Sequence, residues 1–385
     1  MIADRLQRHG IEVAVATGPV AGKRPPVSYS LFSLPHLALA NIASVYRDGS
    51  QQVRQRFQDG LRRELEQISF SPDVIHAHDA HIRGFEIPGA LFRAMPMTPI
   101  VNTVHGGESL DDVRPGIQHP ALLPWDAQIT VSEALSERLP GHVPKIVIPP
   151  GFNGDIFNAA YRVSDGKSFL RGRRGHAIVH PAQPSHVKGH DITYEAFKIV
   201  RRTLADAYLV TADATGYVHP HRRAFMADFK RSIERDGLEA AVQFAVLNHG
   251  NLPGMYRSLR DQRGVVWHPS RVEGLPMALL EAQACGAVPI ATDIDGQRNA
   301  IGEGAGILVP PEDPEALARA TIALFEHADR MPNMSSHGVA FAKQFDIARQ
   351  IPHLLDVYEN VVIGCRRLPT LLGTSTSTEV THSLQ

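Results

Sequence analysis

Short apolar, β-rich runs alternate with helical stretches along this chain, and the alternation occurs in two successive series. The first series holds strand-like runs at residues 73–78, 100–105, 127–131 and 145–148. The second holds runs at 177–180, 208–211, 242–246, 265–268, 288–291 and 306–309, with helical patterns at 191–204, 221–236, 255–259, 276–284 and 314–327. Strands that are apolar throughout are buried on both faces, and strands joined through helices run parallel. Each series therefore predicts an α/β unit with a parallel sheet. At 385 residues the chain exceeds one ordinary core, so two domains are expected. Pro149-Pro150-Gly151 closes the first series. The expected layout is a first domain over 1–150, a polar linker over 151–175, a second domain over 176–344 and a last helix over 345–363. A Thr- and Ser-rich tail over 364–385 has little to bury and reads as disordered.

The beginning departs from the pattern. Ile2, Leu6 and Ile11 outline a helix with Gly10 as its stop signal, and residues 11–16 read as a strand. A doubly wound domain normally opens with a strand and a glycine-rich turn ahead of its first helix. Here both are absent, so the first strand is expected to be missing, either because the chain starts late or because the sheet lacks it. Val53, Phe57, Leu61, Leu65 and Ile68 form one apolar stripe of a further helix.

Charge excludes several function classes. With 39 basic and 40 acidic residues, the net charge of −1 gives no global field for nucleic acid or an anionic membrane. No run approaches the roughly 18 apolar residues of a membrane span. The first ten residues, MIADRLQRHG, lack the apolar core of a signal peptide. Two cysteines, Cys285 and Cys365, make no disulfide framework and fit a cytoplasmic protein. His76, His78 and His81 are spaced as ligands might be, but nothing completes a known site, so no metal is expected.

The most informative segment is Ser270–Gly296, SRVEGLPMALLEAQACGAVPIATDIDG. A strand runs into a loop ending at Gly274, and Pro276 suits the first position of the following helix. The start of that helix points free N–H groups and its positive dipole end at the loop, which makes an anion site suited to a pyrophosphate. Glu273 lies just before the helix and Glu281 about one and a half turns inside it. Helical side chains lean toward the N-terminus, so both carboxylates can reach one ligand and accept hydrogen bonds from pairs of sugar hydroxyls.

This string resembles the signature of retaining glycosyltransferase family 4 at Glu273, Gly274, Leu275, Pro276, Leu280, Glu281, Ala282, Ala284, Gly286, Pro289, Ile290 and Ala291. Residues 180–189, HPAQPSHVKG, resemble the family's phosphate loop, with Gln183 where relatives carry arginine. Residues 148–157, IPPGFNGDIF, resemble its hinge strand, and IVNTVHGG, 100–107, one of its acceptor-domain strands.

The resemblance implies two facing Rossmann-like domains of the GT-B type, a deep cleft, and a last helix that crosses back to the first domain. It implies that Glu273 contacts the donor sugar, that Glu281 and the turn Gly274-Leu275-Pro276 hold the nucleotide, and that Lys188 clamps the diphosphate. Gln183, Gly151 and Asn153 would lie near the donor, and His105 would supply a catalytic hydrogen bond. With Gln183 uncharged, Arg271, Arg298 and His186 are candidates for the displaced cation. The implied function is retaining transfer of a sugar, a hexose above all, from a nucleotide-diphosphate donor to a hydroxyl of a small soluble acceptor. A UDP-sugar is favoured as co-substrate, and no separate cofactor or metal is implied. A nucleotide-sugar epimerase of the same fold and a non-catalytic nucleotide-sugar-binding protein are the alternatives. A nicotinamide oxidoreductase is disfavoured, because no G-x-G-x-x-G follows a strand. The base, the sugar, the acceptor and the oligomeric state stay open.

Overall fold

The structure is a computed structural model and describes residues 2–13, 15–17, 36–38, 59, 71–78, 97–105, 125–139, 143–160, 170, 174–213 and 220–372. The expected helix over 51–68 lies outside these residues except for Asp59, which is helical. The chain divides into two compact units, one formed by Met1–Ile148 with Ile351–Gln385, the other by Pro149–Gln350.

In the first unit, α1 (Ile2–Arg8) precedes β1 (Val15–Thr17), which pairs in parallel with β2 (His36–Ala38). The strand expected at 11–16 is thus shorter and later. It forms its own two-stranded sheet, and the main sheet begins at β3 (Ile75–His78). β4 (Ile100–Val104), β5 (Ala127–Thr130) and, after α2 (Glu133–Arg138), β6 (Lys145–Val147) complete a four-stranded parallel sheet in the order β3-β4-β5-β6. β4 and β5 are buried throughout, including the polar Asn102, Thr103, Gln128 and Thr130 that lie among their apolar residues. α2 is closed at both ends. Ser132 Oγ accepts from Leu135 N, and Lys145 Nζ donates to the carbonyls of Ser136 and Leu139 at 2.9 and 3.0 Å.

The second unit contains β7 (Ala177–His180), α3 (His190–Thr203), β8 (Tyr208–Ala212), α4 (Pro220–Arg235), β9 (Val242–Ala245), α5 (Leu252–Asp261) and β10 (Val265–His268). These are followed by α6 (Met277–Ala284), β11 (Val288–Thr292), α7 (Asp295–Arg298), β12 (Ile307–Val309), α8 (Pro314–Glu326) and α9 (Met331–Ala342). The six strands form one parallel sheet in the order β12-β11-β10-β7-β8-β9. Two apolar clusters pack here. One is built around Trp267, Phe197 and Leu209, the other around Tyr256, Phe157, Leu279 and Leu280.

The segment expected as a linker, 151–175, is instead part of the second unit where it is described. Phe152, Phe157 and Leu170 are core residues. Arg257, 5 % exposed, donates to the carbonyls of Ile156 and Asn158 at 3.1 and 3.0 Å. The polar composition that reads as a linker hides three large apolar anchors, and burial of those anchors decides the outcome. The last helix, α10 (Ile347–Leu372), starts later than expected and runs past residue 363 into the stretch expected as a disordered tail. Within the first unit its Tyr358 hydroxyl meets His76 Nδ1 at 2.6 Å.

Candidate active site

In the second unit the order of strands along the chain reverses between β7 and β10. In open α/β sheets ligands bind outside the carboxyl ends of the strands at such a point. The loop after β7 carries Gln183 and Lys188, and the loop after β10 carries Glu273, Gly274, Leu275 and Pro276.

The two loops are fastened together. Arg271 N donates to Val187 O at 2.9 Å. Arg271 also reaches back to the carbonyl of His186 and forks onto Asp191 at 2.9 and 2.8 Å. Gly189 leads into α3 with φ +69°, a left-handed conformation, and a Cβ there would collide with the carbonyl oxygen of Pro269. Gly189→Ala should therefore lose about 1–2 kcal/mol from the backbone conformation alone, with the collision adding to it. Urea denaturation read against the wild type checks this.

With the loops so placed, Lys188 Nζ lies 2.8 Å from Glu273 Oε1. The Glu273 side chain is 10 % exposed and that of Lys188 32 %. Burial pushes the Glu273 carboxyl up, but His268, Lys188 and a hydrogen bond from Ser270 outweigh it and hold the group below its ordinary value. Glu281, 6 % exposed on α6, is different. Among the described residues it has no hydrogen-bond or ion-pair partner, and burial pushes its carboxyl up to about 8. The fully buried Tyr256 hydroxyl near it also has no hydrogen-bond partner. A buried carboxylate without a protein partner is costly unless a ligand supplies the missing donors.

Pro276 is the cap of α6 and not its first helical residue, because its ψ of 103° is extended. No side chain caps the helix start, and the Leu279 N–H donates to the Pro276 carbonyl at 3.1 Å. A helix start without a side-chain cap suits an anion. Leu275 packs against the core cluster around Tyr256. Gly151 lies against the backbone of Ile347, where a Cβ would come within 2.6 Å of that residue's Cα. Asn153 Oδ1 accepts from Asp155 N at 3.1 Å. Both residues thus have local structural work. His105 lies in the first unit, where its Nε2 is 2.9 Å from Nδ1 of His78.

The candidates for the cation displaced by Gln183 are engaged elsewhere. Arg271 is shared between Asp191 and Glu312, and Arg298 between Asp293 and Asp295. His186 stands 3.9 Å from Asp191. Bidentate and shared pairs of this kind fix an arginine and do not leave it ready for a ligand.

Beneath Lys188 and Glu273 lie three buried histidines whose grouping sequence patterns do not reveal. His180 stacks on His190 at 4.0 Å and meets the His268 ring edge-on at 6.5 Å. Burial drives His180 well toward the neutral form and His190 to about 3, and it lowers His268, where Glu273 opposes the shift. The signal available in sequence was positional: His180 and His268 end neighbouring strands. No group of three or more His, Cys, Asp or Glu side chains suited to a metal ion occurs among the described residues.

Comparison with known proteins agrees with this geometry. Residues 173–339 match the family model described as glycosyl transferases group 1, and residues 1–155 match glycosyltransferase family 4. The chain is 30% identical over 391 residues to D-inositol 3-phosphate glycosyltransferase 1 of Catenulispora acidiphila, covering 95% of this chain and 90% of that protein. It is 29% identical over 182 residues to the lipopolysaccharide core biosynthesis mannosyltransferase LpsB of Rhizobium meliloti, a match spanning about half of each, 46% and 49%. In fold it is similar to Anabaena Alr3699/HepE solved in complex with UDP and glucose, with TM-score 0.70, 18% identity, and 89% and 91% of the two chains covered. It is also similar to sucrose-phosphate synthase of Thermosynechococcus elongatus, with TM-score 0.69, 18% identity, and 94% and 92% covered. Two matching family models, one on each half, and a relative aligned almost end to end place this chain in glycosyltransferase family 4, as a glycosyltransferase of the GT-B fold.

Proposed function

We propose that this glycosyltransferase takes a sugar from a nucleotide-diphosphate donor, a UDP-hexose above all, and transfers it with retention to a hydroxyl of a small polyol or sugar acceptor. The observation that carries this reading is Lys188 paired with Glu273 at the reversal point of the sheet, with a buried and unpartnered Glu281 on the helix that follows the same loop. In this reading Glu281 accepts hydrogen bonds from the ribose diol. The uncapped start of α6 and Lys188 meet the diphosphate, and Glu273 holds hydroxyls of the transferred sugar. Transfer places negative charge on the leaving diphosphate, which a fixed ammonium and helix N–H groups stabilise. The acceptor proton passes to the leaving phosphate oxygen on the same face of the sugar, so the anomeric configuration is kept. No metal or further cofactor enters this scheme.

The acceptor class draws support from relatives named as D-inositol 3-phosphate glycosyltransferases. A cytosolic site of action draws support from the two cysteines of the sequence. Among the described residues, no helix is long and apolar enough to cross a membrane.

A thermal-shift panel of UDP, GDP and ADP tests the donor. One of them should raise the melting temperature by several degrees through mass action. Proton NMR of the product made from the matching α-linked nucleotide sugar should then show an α-linkage. No shift with any of the three removes the donor site, an inverted linkage removes retention, and isomerised donor without transfer indicates an epimerase.

A further inference from the structure

Lys188 has one anionic side-chain partner among the described residues, Glu273. The reading above gives its ammonium a second claimant, the more highly charged diphosphate. When Lys188 turns to that diphosphate, Glu273 loses its 2.8 Å cation while remaining in a site where its side chain is 10 % exposed. A carboxylate buried without a counter-ion is strongly disfavoured.

One group stands ready beside it. His268 Nδ1 lies 3.7 Å from Glu273 Oε1, and the His268 side chain is 4 % exposed. The same nitrogen is 3.3 Å from Ser270 Oγ and 3.3 Å from Gln297 Nε2. Gln297 is fully buried and its Oε1 has no hydrogen-bond partner. Half a turn of that amide brings Oε1 to Nδ1 as an acceptor, so the pocket accommodates the ring with or without a proton there. The titratable groups facing His268 are Glu273 on its own loop, Lys188 on the loop after β7, His180 on β7 and His190 on α3. His180 and His190 are deeper and held neutral, so His268 is the imidazole placed to respond.

We propose that His268 is a positioning residue: it takes a proton from solvent when Lys188 leaves Glu273 for the donor diphosphate, and the imidazolium then replaces the ammonium as the counter-ion of Glu273. This rests on the donor-site reading above. In the empty site burial, opposed by Glu273 and aided by Lys188, holds His268 below its ordinary value. Weakening the Lys188 influence and adding phosphate charge raise it. Diphosphate binding should then strengthen as pH falls through the window between the bound and free values.

Isothermal titration of UDP, GDP and ADP into the full chain at about pH 6, in two buffers of different ionisation enthalpy, measures the protons taken up. The wild type should take up about one proton more per bound nucleotide than His268→Asn. Asparagine keeps a polar amide near Ser270 and Gln297 but does not titrate. Titration of the nucleotide's own phosphate is common to both proteins and cancels. Glu273→Gln, which leaves His268 in place but needs no counter-ion, should lose the same proton, so the test does not depend on one variant folding. Equal uptake in the wild type and both variants overturns this inference and leaves the donor site standing. Absence of binding by all three nucleotides to the wild type overturns both.

Discussion

Glu281→Gln should yield a protein that is more stable in its empty state and no longer responds to the nucleoside diphosphate. The carboxyl is pushed up to about 8 in the folded chain from a reference value of 4.5, with burial as the cause. Such a group costs nothing below its unfolded value. The cost grows as pH rises and levels off above the folded value. At pH 7 it amounts to roughly 3 kcal/mol. Glutamine removes that cost while keeping the shape of the side chain. Wild-type stability should therefore fall between about pH 5 and pH 8, and this slope should be largely absent in the variant. The ligand effect runs the other way. Hydrogen bonds from two hydroxyls to one carboxylate are charge-assisted, and losing them should weaken binding by about 100-fold or more. Denaturation across pH and thermal shift with UDP measure the two halves separately. A variant that is less stable than wild type and still shifted by UDP would show that Glu281 is an ordinary core residue.

Lys188→Met should lower sugar transfer by about 10²–10³-fold, the loss typical when one preorganised charge-stabilising donor is removed. It should also destabilise the fold by roughly 1–3 kcal/mol at pH values above the range where His268 takes up a proton, because Glu273 then keeps its buried position with no cation beside it. These effects separate in the double variant Lys188→Met/Glu273→Gln. Removing the stranded carboxylate should restore most of the stability and none of the activity. Steady-state turnover of a UDP-sugar, set beside urea midpoints for the three proteins, checks this. Recovery of activity in the double variant would overturn the donor-site roles of both Lys188 and Glu273.

What the sequence revealed and what it hid follow from the range of the interactions. The strands of the second unit were legible because burial on both faces leaves a continuous apolar run. Those at 177–180 and 265–268 have the expected ends. Glu273 and Glu281 were singled out because they flank a glycine, a proline and a helix start, and Lys188 because residues 180–189 resemble the family's phosphate loop. Lys188 and Glu273 meet in the fold. α9 was missed. Pro332, Ser335, Ser336 and Gly338 give it weak local helix signals, and it forms where it packs on α6, with Gly338 close to Gln283. The core role of Phe152, Phe157 and Leu170 was hidden for a related reason. Three apolar residues scattered through polar sequence have no period to read. The histidine group beneath Glu273 depends on contacts between β7, α3 and β10, which no local pattern encodes.

The strand order of the second unit also bears on how the chain is made. β7 sits in the middle of the sheet, and its two neighbours are β8 and β10. During synthesis β8 emerges next and pairs with one edge of β7, β9 then pairs with β8, and the other edge of β7 waits for β10. For that interval a nascent chain exposes an apolar strand with unpaired N–H and C=O groups, the kind of surface that recruits strangers. Ribosomes stalled just before β10 should therefore carry a sticky intermediate that chaperones hold, and release should coincide with the emergence of residues 265–292.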